Sequence, residues 1–101
     1  MDSLQVIAEP RRRQILAMIW DKELPVAEIA SGFDLTLGAV SQHLAVLRQH
    51  ELVVVRKEGN RRFYRADRDA LAPFRGVLET MWAGRLEDLA GEVERSLKAP
   101  E

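Results

Sequence analysis

The stretch from Thr36 to Arg65 constrains the fold of this 101-residue chain more than any other. Its first part has apolar residues spaced three and four apart, which predicts an amphipathic helix that ends at His50. Two runs rich in β-branched or aromatic residues follow, Leu52 to Lys57 and Arg61 to Arg65. Residues 58–60, Glu-Gly-Asn, have turn chemistry, so the sequence predicts a helix followed by a β-hairpin.

The two sides of this predicted helix differ in chemistry. We expect four apolar side chains to be buried, namely Leu37, Val40, Leu44 and Leu47. At about 100° per residue, the side chains that point the opposite way are Gly38, Gln42, Ala45 and Gln49. Ser41 and Arg48 flank this exposed side, and His43 lies close to the buried stripe on the other flank. Thr36 is the expected N-cap.

Charge is distributed unevenly along the chain, although the net charge is only −1. Residues 36–66 hold six basic and two acidic residues, whereas acidic residues outnumber basic ones both before and after this segment. The positive charge thus lies on the predicted helix and hairpin, where contacts with phosphates would need it. A helix that fits a DNA groove, followed by a basic hairpin, is the layout of a winged helix-turn-helix, so DNA binding is the leading hypothesis.

The N-terminal third predicts two more helices. A glutamate and a proline, Glu9 and Pro10, open the first, whose first turn holds Arg11, Arg12 and Arg13. These arginines are either solvated or reach the DNA backbone. The second helix runs from Val26 to Ser31, and Gly32 is expected to end it as a residue free to take positive φ.

The last third predicts a long helix over about residues 70–98, capped by Asp67 or Asp69. Its apolar surface exceeds what so small a core needs, and the simplest partner is a second copy of the chain. The residues assigned to this dimer interface are Leu4, Ile7, Leu78, Trp82, Leu86, Leu89 and Val93. The chain is therefore predicted to form one mainly helical domain over residues 1–101, with a hairpin at about 53–65.

Composition argues against several classes of function. The chain has no cysteine, which excludes disulfides and thiolate metal sites. No apolar run approaches the roughly 20 residues of a membrane span, and the N-terminus does not have the pattern of a secretion signal, so we expect a cytoplasmic location. We expect no cofactor. An enzyme is the weakest alternative, because the chain has no Gly-rich phosphate loop and both histidines lie on the predicted reading helix.

These motifs resemble the ArsR-type family of bacterial winged-helix repressors. The matching strings are EPRRRQIL, ELPVAEIA, LTLGAVSQHLAVLRQHELVVVRKEGNRRFYR and the last helix with its tryptophan, which together cover nearly the whole chain. The resemblance implies a homodimer built on the first and last helices. It also implies that this dimer binds inverted-repeat operators in double-stranded DNA and represses transcription.

The sequence departs from the metal-sensing branch of that family. The branch has two cysteines, in a string like ELCVC, where this chain has Pro25 and Ala27, neither of which can bind a metal ion. The family's other common site uses Asp and His with carboxylates of the last helix, and this chain has no histidine after His50. Since imidazole or thiolate normally provides the affinity for transition metals, the chain is similar to the metal-independent branch. No motif identifies an inducer.

Gln42 is the candidate for base readout, because its amide can bond adenine N6 and N7 together. The other residues assigned to DNA contact are Thr36, Gly38, Ser41, His43, Ala45, Arg48, Arg61 and Arg62. The small size of Gly38 and Ala45 lets the helix sit deep in the groove. At least one of Arg61 and Arg62 is expected to point away from the hairpin, toward phosphates or the minor groove.

Two alternative hypotheses stay open. A winged helix can serve as a protein-interaction module, and salt-sensitive binding to duplex DNA would separate that function from DNA binding. Within DNA binding, the regulator is either released by a small apolar molecule near Phe74, Met81 and Trp82 or works without any ligand.

Overall fold

The computed structural model describes residues 1–83. The elements are α1 (Ser3–Ala8), α2 (Pro10–Met18), β1 (Leu24–Pro25), α3 (Val26–Ser31), α4 (Leu37–Gln49), β2 (Val53–Glu58), β3 (Arg61–Ala66) and α5 (Arg68–Leu71). A 3-10 turn at Ala72–Phe74 and a helix over residues 75–83, which we call α6, follow. This mainly helical fold with a small sheet confirms the predicted fold class. None of the helices in the described range is long and apolar enough to cross a membrane.

The C-terminal helix that the sequence predicts over about residues 70–98 does not start as one continuous α-helix. The chain forms the short α5, capped by the Asp67 side chain, then the 3-10 turn, and only then α6. Pro73 lies in that turn, and a proline has no amide hydrogen to bond within an α-helix. Residues 84–98 of the predicted helix lie outside the described residues.

The sheet has three antiparallel strands in the order β1-β3-β2. A two-residue turn joins β2 to β3, and Gly59 in this turn has a φ of 61°, which favours glycine. Tyr64 of β3 lies opposite Val55 of β2 on one side and Leu24 of β1 on the other. The sequence did not predict β1, which ties the hairpin to the segment before α3.

The hydrophobic core is formed by side chains from one face of each major helix and from the inner face of the sheet. From α4 it takes Val40, Leu44 and Leu47, which are 0%, 1% and 0% exposed. Leu37, predicted to be the fourth member of this set, is instead 55% exposed. It is the first helical residue of α4, and on a helical projection it lies about 60° from the middle of the buried stripe.

Two of the three N-terminal arginines serve a structural purpose. Arg12 Nε donates a hydrogen bond to the carbonyl oxygen of Val6 (2.8 Å), and an Arg13 Nη1 donates to that of Ile7 (3.2 Å). These carbonyls belong to the last turn of α1, where a helix has unsatisfied acceptors. Arg12 and Arg13 are therefore half-buried and bound to carbonyl groups of α1, whereas Arg11 is exposed.

Gly32 ends α3, but not through the conformation that the sequence predicts. Its φ is −88°, which any residue can adopt. A Cβ atom at this position would lie 2.8 Å from the terminal methyl carbon of Met18. A larger residue here would displace only the flexible end of the Met18 side chain, and the glycine does not form a left-handed turn.

The chain leaves α4 through a residue in the left-handed region. His50 caps the helix, and Glu51 has a φ of 58°, which is unfavourable for a side chain with a Cβ atom. The amide of Leu52 then donates to the carbonyl oxygen of Leu47 (3.0 Å), which closes the helix end.

Replacing this residue by glycine tests the strain. Glu51→Gly is expected to raise the free energy of unfolding by about 1 kcal/mol, because glycine takes positive φ without a steric clash. Glu51→Ala is the matched control, since it removes the carboxylate but keeps the Cβ atom. Urea unfolding at one fixed protomer concentration measures both variants. An equal gain in both would assign the effect to charge instead of backbone strain.

Candidate nucleic-acid interface

The helices α3 and α4, with the turn between them, form a helix-turn-helix. Thr36 caps α4 as predicted, because its Oγ1 accepts a hydrogen bond from the amide of Ala39 (3.0 Å). A threonine at this position satisfies one of the free amides of the first turn. Pro25 precedes α3, and Ile29 of α3 is fully buried. The two helices pack together and hold α4 at the surface of the domain.

Seven residues of α4 and its N-cap were assigned to DNA contact, and six of them are exposed. The exposed ones are Thr36, Gly38, Ser41, Gln42, Ala45 and Arg48. His43 is half-buried, on the flank that faces α2. The side-chain amide of Gln42 forms no hydrogen bond with any other described residue.

A cleft of about 690 Å³ separates α4 from the hairpin, which we call the wing. Its lining residues are Val26, Ser41, Ala45, Arg48, Gln49, Arg62 and Tyr64. Four of these, Ser41, Ala45, Arg48 and Arg62, were assigned to DNA contact from the sequence. The fold therefore brings residues from the reading helix and from the wing, which are up to 21 positions apart in sequence, to one concave surface.

The strand register decides where each wing arginine points. Opposite residues of an antiparallel pair point to the same face of the sheet, and so do residues two apart in one strand. Arg62 therefore points to the same face as Lys57 and the buried Tyr64. Arg61 lies with Glu58 on the other face, where its guanidinium is 5.0 Å from the centre of the Phe63 ring. Of the two arginines, Arg62 is the one that shares the cleft with α4.

Lys57 and Arg62 form a cross-strand pair of like charges. Both are exposed, and among the described residues neither has a salt bridge. Two cations directly opposite each other destabilise a sheet unless an anion neutralises them. This pair therefore leaves positive charge without a salt-bridge partner, among the described residues, on the α4 side of the wing. Only the strand register reveals that Lys57 lies opposite Arg62.

Arg56, in contrast, is already neutralised. Its guanidinium binds the carboxylates of Glu23 (2.6 Å) and Glu58 (2.8 Å) and lies 4.6 Å from the centre of the Phe63 ring. The hydrogen bonds that Arg56 donates to the carboxylates of Glu23 and Glu58 raise the pKa of Arg56 above its usual value. The hydrogen bond from Arg56 also lowers the pKa of Glu23. Arg56 thus links the wing to the segment before β1 and is not a free cation for phosphate.

The two histidines have structural contacts. His50 Nδ1 lies 3.1 Å from the carbonyl oxygen of Val46, as expected for a residue that caps the end of α4. Its Nε2 lies 2.8 Å from the carbonyl oxygen of Met1. His43 is near Glu9. Partial burial alone would raise the pKa of the Glu9 carboxyl group. Amide hydrogen bonds from Arg12 and Arg11 outweigh that effect, and with a smaller contribution from His43 they lower the pKa of Glu9. No group of three His, Cys, Asp or Glu side chains in residues 1–83 could hold a metal ion.

The residues assigned to a dimer interface divide into four groups. Leu4 is 50% exposed on α1. Ile7 and Leu78 are fully buried within the protomer, so they have no surface to offer a second copy. Trp82 is half-buried, since it packs edge-on against Trp20 with ring centres 5.4 Å apart and its Nε1 donates to Arg13 O (3.1 Å). The remaining assignments lie outside the described residues: Leu86, Leu89 and Val93.

The assignment of Ile7 and Leu78 to the interface rested on the apolar stripes of their helices. Such a stripe shows only that a helix face is covered. It does not show whether the same chain or a second copy covers it. Other apolar side chains of these helices do stay exposed, namely Val77 (38%) and Met81 (36%) on α6.

Comparison with known proteins agrees with this geometry. The model of the bacterial regulatory protein arsR family matches residues 9–55. The transcriptional activator HlyU of Vibrio cholerae is 49% identical over 61 residues, which cover 60% of this chain and only 56% of that protein. The HTH-type transcriptional regulator Rv2034 of Mycobacterium tuberculosis is 37% identical over 86 residues, which cover 85% of this chain and 80% of that protein.

A solved structure extends the comparison to the fold. The homodimeric winged helix-turn-helix DNA-binding domain Mb0332 from Mycobacterium bovis has a TM-score of 0.67 and 30% identity, covering 83% of this chain and 78% of that one. The fold and the exposed reading helix thus define a winged helix-turn-helix transcription regulator, not an enzyme. The chain belongs to the arsR family of bacterial regulatory proteins, which confirms the resemblance seen in its sequence.

Proposed function

We propose that this regulator binds an inverted-repeat operator as a homodimer, reads bases with α4, holds phosphates with the wing, and represses transcription by occupying the promoter. The observation that carries the proposal is the cleft in which exposed α4 residues and Arg62 meet. A major groove about 12 Å wide admits an α-helix, and its walls are phosphates that a flanking cation can neutralise.

Base readout is assigned to the first half of α4. In helix-turn-helix proteins the N-terminal residues of the second helix contact base edges. Gln42 lies there with its amide unpaired among the described residues, and Gly38 and Ala45 on either side have small side chains that allow a close approach. The hydroxyl groups of Ser41 and Thr36 are assigned to a base or a phosphate. His43 is assigned a contact with the DNA backbone, and Arg48 is assigned to bind a phosphate.

Phosphate binding is assigned to the wing. Arg62 and Lys57 present a concentrated positive charge on the face that also carries the cleft. A phosphate there would relieve their mutual repulsion as well as gain two charge-assisted hydrogen bonds. Arg61, on the other face near the turn, is assigned a secondary contact with the minor groove or the backbone.

The homodimer is assigned to α1 and α6. Leu4, Val77 and Met81 leave apolar surface exposed on these helices. The similar domain from Mycobacterium bovis is homodimeric. Two copies related by a twofold axis would present two reading helices to an inverted repeat whose half-sites lie about one helical turn apart.

We further propose that DNA binding does not respond to transition metals. The chain has no thiolate, and Pro25 and Ala27, at the family's cysteine positions, have no donor atom in their side chains. His50 is also occupied by two carbonyl contacts.

Such a regulator acts where the chromosome is, in the cytoplasm. Whether occupancy represses or, as the name of HlyU indicates for that relative, activates would depend on where the operator lies in a promoter.

Selection of bound duplexes from a random DNA library tests the proposal and the role of Gln42 together. The wild-type chain should enrich an inverted repeat. It should enrich the same repeat when the selection is done with a metal chelator and when it is done with added zinc. Gln42→Ala should weaken binding to that repeat by about 1–3 kcal/mol and make one base pair of each half-site degenerate, because an amide pairs with adenine through two hydrogen bonds.

Gln49→Ala is the matched control for Gln42. It removes the same amide from the same face of α4, two helical turns further along, about 10 Å from Gln42. This variant should keep the operator preference. Enrichment of no sequence by the wild-type chain would contradict the proposal, and a different operator in zinc would contradict metal independence.

The wing prediction concerns the salt dependence of binding. Arg62→Ala should lower the slope of log affinity against log salt by about 0.9, the value for one lost phosphate contact. Arg61→Ala, a change of the same size on the opposite face, should lower it less. Titrations on the operator and on a scrambled duplex measure both. An unchanged slope for Arg62→Ala would rule out its phosphate contact, and equal losses would show that both faces of the wing touch DNA.

The dimer prediction uses two side chains of equal exposure. Leu4→Glu should convert dimer to monomer, because it places an unpaired charge in an apolar interface. Val54→Glu is the control, since Val54 is also 50% exposed but lies on the outer face of the wing. Sedimentation equilibrium measures the mass of each variant. A dimeric Leu4→Glu variant would exclude α1 from the interface.

A further inference from the structure

Leu37 is an exposed apolar residue at the start of the reading helix. It is the first helical residue of α4 and is 55% exposed, while the other leucines of α4, Leu44 and Leu47, are 1% and 0% exposed. The core therefore does not explain why a leucine stands here. An apolar side chain held in water at this position would gain free energy from any apolar partner that covers it.

Leu37 lies on a flank of α4 next to two residues assigned to DNA contact, about 140° around the helix from Gln42. At about 100° per residue, it projects about 20° from Arg48 and about 40° from Ser41, both of which line the cleft between α4 and the wing. The next residue, Gly38, has no side chain, and a Cβ atom there would meet no atom closer than 4.0 Å. Leu37 thus protrudes beside an open stretch of helix backbone.

The chemistry of the major groove leaves one partner for such a side chain. Base edges there present hydrogen-bond donors, acceptors and a single apolar group, the C5-methyl of thymine. Leucine cannot form a side-chain hydrogen bond, so only that methyl group would favour it over a polar residue. We propose that Leu37 is a specificity residue that recognises a thymine methyl in each half-site. This inference rests on the proposed function of α4.

The spacing along α4 predicts where this thymine lies. Leu37 and Gln42 are five residues apart, which is about 7.5 Å along the helix axis. Because the two side chains also project about 140° apart around the helix, they cannot read the same base pair, so the thymine belongs to a different base pair of the half-site from the adenine that Gln42 reads. Together the two residues select a half-site in which both base pairs are A·T.

Deoxyuridine in place of thymine tests the inference, because it differs only in lacking the methyl group. Each thymine of the selected half-site is replaced in turn, and binding of the full-length chain is measured by titration. At one position the wild-type chain should lose about fourfold in affinity, the equivalent of about 0.8 kcal/mol for one buried methyl-sized group. Leu37→Ala should bind the thymine and uracil duplexes equally.

Three further measurements make the result specific. Leu37→Met, which keeps an apolar side chain of similar volume, should retain the discrimination, as should Val54→Ala, which removes exposed apolar surface elsewhere. In the wild-type chain, a 5-methylcytosine·guanine pair at that position should bind more tightly than unmethylated cytosine·guanine, because the methyl group occupies the same place in the groove.

Discrimination that persists in Leu37→Ala would overturn the inference, as would conversion of Leu37→Ala to a monomer, which would place this side chain in a protein interface. Failure of the proposed function would look different, because the wild-type chain would then select no operator before any uracil is introduced.

Discussion

The burial of one face of α4 is the constraint on which the rest of the interface depends. Val40, Leu44 and Leu47 are almost completely buried, and each such side chain contributes about 1.5–3 kcal/mol. A solvent-exposed salt bridge such as that of Arg56 contributes much less, so it cannot set the rotation of the helix. Because a helix is rigid, burying one face fixes which side chains project from the other, and Gln42 is among these.

A second constraint is the attachment of the wing. The buried Tyr64 pairs with β1 on one side and β2 on the other, so a two-residue strand anchors the hairpin next to the helix-turn-helix. This pairing also fixes which wing residues face α4, since side chains alternate along a strand. The cation pair of Lys57 and Arg62 is a consequence of this register, because it places the two residues directly opposite each other.

Several differences between the predicted and the observed structure have one physical origin. Helical periodicity shows which residues share a face, but it does not show how far the core extends along the helix. Leu37 lies beyond the end of the core, and so it is exposed. Ile7 and Leu78 lie within a core that the chain completes by itself, so they are not available to a second copy. Arg12 satisfies the carbonyl groups of α1, a contact between two helices that sequence spacing cannot reveal.

The sequence by itself determined the helices α2, α3 and α4, the two strands of the wing and their order, the N-cap at Thr36, the turn of the wing and the exposed face of α4. These features depend on local propensity and on periodicity, which are properties of neighbouring residues. Only the tertiary structure decided that β1 joins the sheet, that Arg62 and not Arg61 shares the cleft, and that Arg56 is neutralised by Glu23. Each of these depends on residues distant in the chain, whose contacts are fixed by strand register and core packing rather than by local sequence.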